Sequence, residues 1–229
     1  MDTPTSSTPP EQARRIRKSQ RDRVSVLGFE VRWLQILTHI GCWVPFVLLI
    51  WDFQHNNLTV NPIQEATLRT GKTALILLVL SLTCTPLNTL FGLRELLPLR
   101  RPLGLYAFAY ACLHVLLFFV IDYGLDWQLI QEAVLEKRYV LVGLAAFLLL
   151  LPLALTSTKG WQRRLGQRWK RLHMLVYVAA PLVVVHFVWL VKADLSQPIL
   201  FGIAVITLLV LRLPALRRSL IRWRQSRFG

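Results

Sequence analysis

Three histidines lie in stretches of this chain where an imidazole is costly to keep. His114 falls in AFAYACLHVLLFFV (from Ala107), and His173 and His186 share RWKRLHMLVYVAAPLVVVHFVW (from Arg168). Neutral imidazole is the commonest metal ligand among side chains, and an ionisable group inside a long apolar segment marks a functional site by default. Thirteen helical residues rise about 20 Å, so His173 and His186 stand near opposite ends of one membrane crossing. The chemistry these residue types offer is metal ligation, and through it electron transfer.

The elements that must position them follow from composition. The chain has 229 residues, of which 54% are hydrophobic, and a mean hydropathy of +0.47. Soluble domains are about 45–50% apolar, so the expectation is one all-α integral-membrane domain. Six spans of about 20 residues are predicted near 32–51, 72–91, 103–121, 139–155, 172–191 and 198–213. The polar connectors are 52–71, 92–102, 122–138, 156–171 and 192–197, and the connector from Asp122 is expected to hold a short surface helix. Residues 1–31 read as a disordered, basic cytoplasmic tail, 32–213 as the six-helix domain, and 214–229 as a second basic cytoplasmic tail. The polar lead does not resemble a cleaved signal peptide. No internal repeat is evident.

The net charge of +15 does not indicate nucleic acid, because its distribution is that of a membrane protein. Of the 27 lysines and arginines, 22 fall on the side of both termini and of the 92–102 and 156–171 connectors. Cytoplasmic loops carry the excess of Lys and Arg, which predicts six crossings with both termini cytoplasmic and the bilayer as the chief partner. Cys42, Cys84 and Cys112 fall in apolar segments without C-x-x-C pairing and read as small buried hydrophobes. Pro45, Pro86, Pro152 and Pro181 lie within or beside spans and are expected to mark kinks around an internal cavity.

With that orientation, His114 and His186 fall at comparable depth on the periplasmic side of the midplane. Two imidazoles from facing helices can clamp a haem iron from both sides. The plainer reading of each is a hydrogen-bonded packing residue. His173 lies at the cytoplasmic edge beside Trp169, Lys170 and Arg171, and the segment that would face it, RRPLGLYAF (from Arg100), has no histidine. His39, Met174 or water are the substitutes. On a straight helix His173 and His186 point about 140° apart, so both can face one cavity only if the helix is deformed, for which Pro181 is the expected cause. His55, in the polar connector, reads as exposed. No G-x-G-x-x-G loop, P-loop or nucleophile–base pair is present, and the last sixteen or so residues are too few for a flavin or nicotinamide domain. The expectation is therefore an electron-transfer subunit with no separate catalytic site.

Several stretches together resemble the ferric-reductase-like transmembrane family, and within it the haem-binding subunits of bacterial methionine-sulfoxide reductase systems. They are THIGCWVPF (from Thr38), NPIQEATLRTGKTAL (from Asn61), TCTPLNTL (from Thr83), RRPLGLYAFAYACLH (from Arg100), KRYVLVG (from Lys137) and the segment from Leu153 through Trp189. The resemblance implies a six-helix inner-membrane cytochrome b with His114, His173 and His186 at the family's histidine positions. It implies one haem b or two, with FMN as a further cofactor. Electrons would come from quinol or a cytoplasmic flavin reductase and leave to a periplasmic molybdopterin enzyme that reduces methionine sulfoxide in oxidised proteins. The basic stretch Lys159, Arg163, Arg164, Arg168, Lys170 and Arg171 would meet a flavin phosphate or flavoprotein, or simply reflect positive-inside topology. Competing expectations are a stand-alone ferric or quinone reductase and a non-redox permease or anchor whose histidines only pack.

Overall fold

The computed structural model describes residues 33–191, 194–213, 216, 218–220 and 222. The N-terminal tail expected at 1–31 and most of the tail expected at 214–229 lie outside them. The described residues are all-α. In chain order the helices are α1 (Trp33–Gln54), α2 (Pro62–Phe91), α3 (Arg100–Leu116), α4 (Trp127–Glu136) and α5 (Arg138–Leu155). There follow α6 (Lys159–Leu165), α7 (Gln167–His173), α8 (Val176–Leu190) and α9 (Ser196–Val210). A 3₁₀ turn (Arg94–Leu99) leads into α3, and a π-helical turn (Leu117–Asp122) continues it.

Five of these helical stretches are long and apolar enough to cross a membrane: α1, α2, α3 with its flanking turns, α5, and α7 with α8. The apolar helix α9 is shorter. Their apolar side chains are largely turned outward: Leu200, Ile203 and Ile206 on α9 and Leu37, Ile40 and Val47 on α1 are exposed. A surface this apolar is that of a chain solvated by lipid. The protein is a multi-span membrane protein.

The helices α2, α3, α5, α8 and α9 form a closed ring in which each packs on the next. Leu77, Leu78 and Leu82 of α2, Leu103 and Ala107 of α3, Ala180 of α8 and Val205 of α9 fill it. The outer helix α1 is fastened to α3 by two tyrosines one turn apart. The Tyr110 hydroxyl donates to the Cys42 carbonyl at 2.7 Å, and the Tyr106 hydroxyl meets His39 Nδ1 at 3.0 Å.

The longest element, α2, begins ten residues before the span expected at 72–91. Asn61 caps it by accepting from the Gln64 amide, and Pro62 occupies the first turn, where its missing N–H costs nothing. Glu65 and Arg69 read as connector residues but are helical, because they compensate each other one turn apart and Arg69 also pairs with Asp52 of α1. Gly92, at φ 75°, ends the helix in the left-handed conformation that only glycine adopts freely. Pro86 removes the donor that would meet the Leu82 carbonyl, and Arg212 Nη2 supplies one at 2.6 Å.

The break between α7 and α8 is at Met174–Leu175, not at Pro181. Tyr177 and Val178 bond to the carbonyls three residues back, so the turn tightens to 3₁₀ geometry. This stretch abuts Tyr177, whose carbonyl loses its helical donor to Pro181. The effect of the proline is thus displaced one turn towards the N-terminus. The surface helix expected after Asp122 is present as α4, capped by Asp126, which accepts from the amides of Gln128 and Leu129. All three cysteines are free.

Candidate functional site

Two ends of the bundle can be told apart by charge. The basic end carries the 92–99 and 156–166 connectors, and the acidic end carries the 55–61, 123–137 and 191–195 connectors. His114, near the end of α3, and His186, near the end of α8, meet towards the acidic end with ring centroids 6.2 Å apart and planes at 85°.

Each imidazole is positioned by the helix before it in the ring. His114 Nδ1 donates to the Thr67 carbonyl of α2 at 2.8 Å, and His186 Nδ1 donates to the Tyr139 carbonyl of α5 at 2.6 Å. With Nδ1 holding the proton, Nε2 keeps its lone pair. This is the arrangement in which a backbone carbonyl orients a metal-binding histidine. A helical carbonyl points towards the residue four positions on, and in both helices that residue is glycine. A Cβ on Gly71 would stand 2.9 Å from His114 Nδ1, and one on Gly143 would stand 2.5 Å from His186 Nδ1. Neither distance is tolerable, so only glycine lets the ring lie against the neighbouring helix.

The two seats repeat each other. Each histidine lies 47 residues beyond the carbonyl it binds, and each carbonyl stands four residues before its glycine. The α2–α3 pair and the α5–α8 pair are therefore equivalent units. The likeness is in backbone geometry and a single glycine, not in side-chain identity, so it is not a sequence repeat.

Both histidines line a cavity of about 420 Å³ inside the ring, a volume in the range of cofactor sites. Many of its lining residues are apolar, including Leu75, Leu78, Ala111, Phe147, Leu150 and Val183, while Asn61, Gln64, Asp122, Tyr123, Lys137 and Tyr139 line it towards the acidic end and Lys72 lines it beside the Gly71 seat. The π-helical turn after α3 brings Phe118 and Phe119 to the same wall. Lys137 donates to the Tyr123 hydroxyl at 2.9 Å, a bond that raises the pKa of its ammonium.

The geometry admits a metal held between two imidazoles. With metal–nitrogen bonds of about 2.0–2.1 Å and each ring centre about 1.1 Å behind its nitrogen, two opposed imidazoles have centroids about 6.2–6.4 Å apart. Among the described residues no group of three or more His, Cys, Asp or Glu could hold a metal. Iron in a porphyrin brings four further ligands of its own, so two imidazoles suffice to complete its coordination. The donor set and cavity fit haem.

The other histidines are not brought to this cavity. His173, at the end of α7, stacks on Trp169 with centroids 3.9 Å apart, and its Nδ1 donates to the Trp169 carbonyl at 3.1 Å, within its own helix. The Leu153 carbonyl of α5 and the Arg100 guanidinium lie near it. His39 is engaged by the Tyr106 hydroxyl and ring. His55 is exposed and stacks on Trp51. The charged residues of α6 and α7, including Lys159, Arg163, Arg164, Arg168, Lys170 and Arg171, are exposed.

Sequence reasoning singled out the histidines but not Gly71, Gly143, Thr67 or Tyr139. The available signal was the equal offset from glycine to histidine in the two units. Carbonyl acceptors leave no mark in residue type.

Fold and site together define a class: a multi-span helical membrane protein with a two-imidazole seat inside its helix ring. The ferric reductase like transmembrane component family matches residues 70–184, a stretch that includes Gly71, His114, Tyr139 and Gly143 and ends two residues before His186. The chain is 44% identical over 196 residues to the protein-methionine-sulfoxide reductase heme-binding subunit MsrQ of Rhodospirillum rubrum, covering 85% of this chain and 94% of that protein. It is 44% identical over 172 residues to the MsrQ proteins of Xanthomonas axonopodis pv. citri and Xanthomonas oryzae pv. oryzae, covering 72% of this chain and 79% of each. The chain belongs to the MsrQ family of heme-binding subunits, within the ferric-reductase-like transmembrane proteins.

Proposed function

We propose that this chain is the haem b membrane subunit that carries electrons across the bacterial inner membrane to a periplasmic molybdopterin enzyme reducing methionine sulfoxide in oxidised proteins. His114 and His186 would hold the haem iron. The observation that carries this reading is the facing pair of imidazoles, each locked at Nδ1 by a carbonyl of the preceding helix and 6.2 Å from the other.

Bound haem supplies a one-electron Fe(III)/Fe(II) couple. The chain's own residues do the rest. The Thr67 and Tyr139 carbonyls hold each proton on Nδ1 and so present Nε2. Gly71 and Gly143 let the rings seat without displacement, which keeps ligand geometry alike in both oxidation states. The apolar walls exclude water and keep the site in a medium of low polarisability, which limits reorganisation on electron transfer.

Six crossings with both termini cytoplasmic, α9 being the sixth, are supported by the excess of Lys and Arg at the basic end. That orientation puts the histidine pair nearer the periplasm, on the side of the electron acceptor. Electrons enter from the quinol pool or a cytoplasmic flavin reductase at the basic end. His173 enters this reading only as a ligand of a second haem. Thirteen residues before His114, where the α3 counterpart of His173 would stand, the residue is Arg101.

The test is to reduce the purified haem-loaded protein, then add the periplasmic enzyme with methionine sulfoxide. The ferrous spectrum is expected to reoxidise only when both are present, two haem electrons being consumed per sulfoxide reduced. A ferrous spectrum that persists under those conditions would overturn the assignment of the acceptor.

A further inference from the structure

The cavity is polar at one end only, and that asymmetry orients what it holds. A haem is an apolar disc with two carboxylates on one edge. Buried charges are costly unless paired or hydrated, so the carboxylate edge belongs towards the end lined by Asn61, Gln64, Asp122, Tyr123 and Lys137, with Lys72 further in beside the Gly71 seat.

Few cations at this end are free to meet them. Arg69 is already paired with Asp52 and Glu65. Arg138 does not line the cavity, and Lys192 lies outside the described residues. Lys72 lines the cavity from α2, one residue past the Gly71 seat, and among the described ion pairs it has none. Lys137 lines it from the opposite side, at the start of α5. The Tyr123 hydroxyl steadies its ammonium, and Asp122 beside it is the nearest competing anion.

We infer that Lys72 and Lys137 bind the two haem carboxylates at the acidic end of the cavity and so turn that edge of the haem towards the outer face. This rests on the haem assignment above. A lysine ammonium offers a charge-assisted hydrogen bond to a carboxylate, and Lys137 at the acidic end with Lys72 on the facing helix beside the Gly71 seat fix the rotation of the disc about the axis joining the histidines. The lysines act as positioning residues, leaving iron ligation to the histidines.

The experiment measures haem loss from the full-length detergent-purified protein to excess apomyoglobin. Wild type is compared with Lys72→Met, Lys137→Met and the double variant. Each is loaded either with haem or with iron protoporphyrin dimethyl ester, which has no free carboxylates. The double variant is expected to lose haem about tenfold faster or more, the scale of one lost charge-assisted contact, with its low-spin spectrum unchanged. With the ester, wild type and double variant are expected to lose the group at the same rate. Equal rates with free-acid haem would overturn the inference, as would a lysine effect that persists with the ester. Should the variants fail to fold, faster loss of the ester than of haem from wild type supports the inference and equal loss overturns it. Wild type that binds no haem at all would instead overturn the haem assignment.

Discussion

The two ends of the helix ring treat their histidines differently. At the acidic end, His114 and His186 each meet a carbonyl and a glycine of a neighbouring helix, and the two rings face each other across 6.2 Å. At the basic end, His173 leans on Trp169 of its own helix and His39 is held by Tyr106. All four sit on stretches long and apolar enough to cross a membrane. What separates a candidate ligand from a packing residue here is the seat: an outside acceptor for Nδ1, a missing Cβ beneath the ring, and a partner opposite.

The contrast breaks most severely if a seat is filled. Gly143→Ala puts a methyl 2.5 Å from His186 Nδ1 and Gly71→Ala one 2.9 Å from His114 Nδ1. Overpacking of this kind costs about 1–3 kcal/mol, and here the strain falls on the ligand. Both variants are expected to shift or abolish the low-spin absorption, Gly143→Ala more strongly. Gly160→Ala at the basic end, whose added Cβ would meet nothing closer than 3.9 Å, is expected to leave it unchanged. Absorption spectra of the three purified variants decide this.

A smaller effect, of another kind, is expected at Arg212. It supplies the donor that Pro86 denies the Leu82 carbonyl and stands over the Tyr177 ring at 5.9 Å. Arg212→Met leaves that carbonyl unsatisfied, which costs about 1–3 kcal/mol. The expected result is a lower midpoint of thermal unfolding in detergent with the haem spectrum unchanged. A changed spectrum would mean that the two ends are coupled.

Much of this arrangement was legible in residue order. Apolar runs of bilayer length placed α1, α3, α5, α8 and α9, and charge-free stretches around His114 and His186 marked those histidines out. The start of α2 was not legible, because Glu65 and Arg69 look like a connector until Asp52 of another helix is seen to neutralise Arg69. The break at Met174–Leu175 was misplaced at Pro181, since a proline acts on the carbonyl one turn before it and the chain adjusts further upstream. The glycine seats were hidden for a different reason. A glycine in a helix is read as tolerance, and only the approach of another helix shows that a Cβ is forbidden there. The donor and acceptor of electrons have no counterpart in a single chain's contacts, and they came from kinship with the MsrQ proteins.

The most direct test of the central claim is the dithionite-reduced minus air-oxidised absorption spectrum of the detergent-purified protein, beside His114→Ala, His186→Ala and His173→Ala. The account predicts a low-spin b-type spectrum in wild type that is lost in either of the first two variants and retained in the third. A wild-type spectrum that survives both His114→Ala and His186→Ala, or well-folded wild type that holds no haem after haem-replete expression, would contradict it.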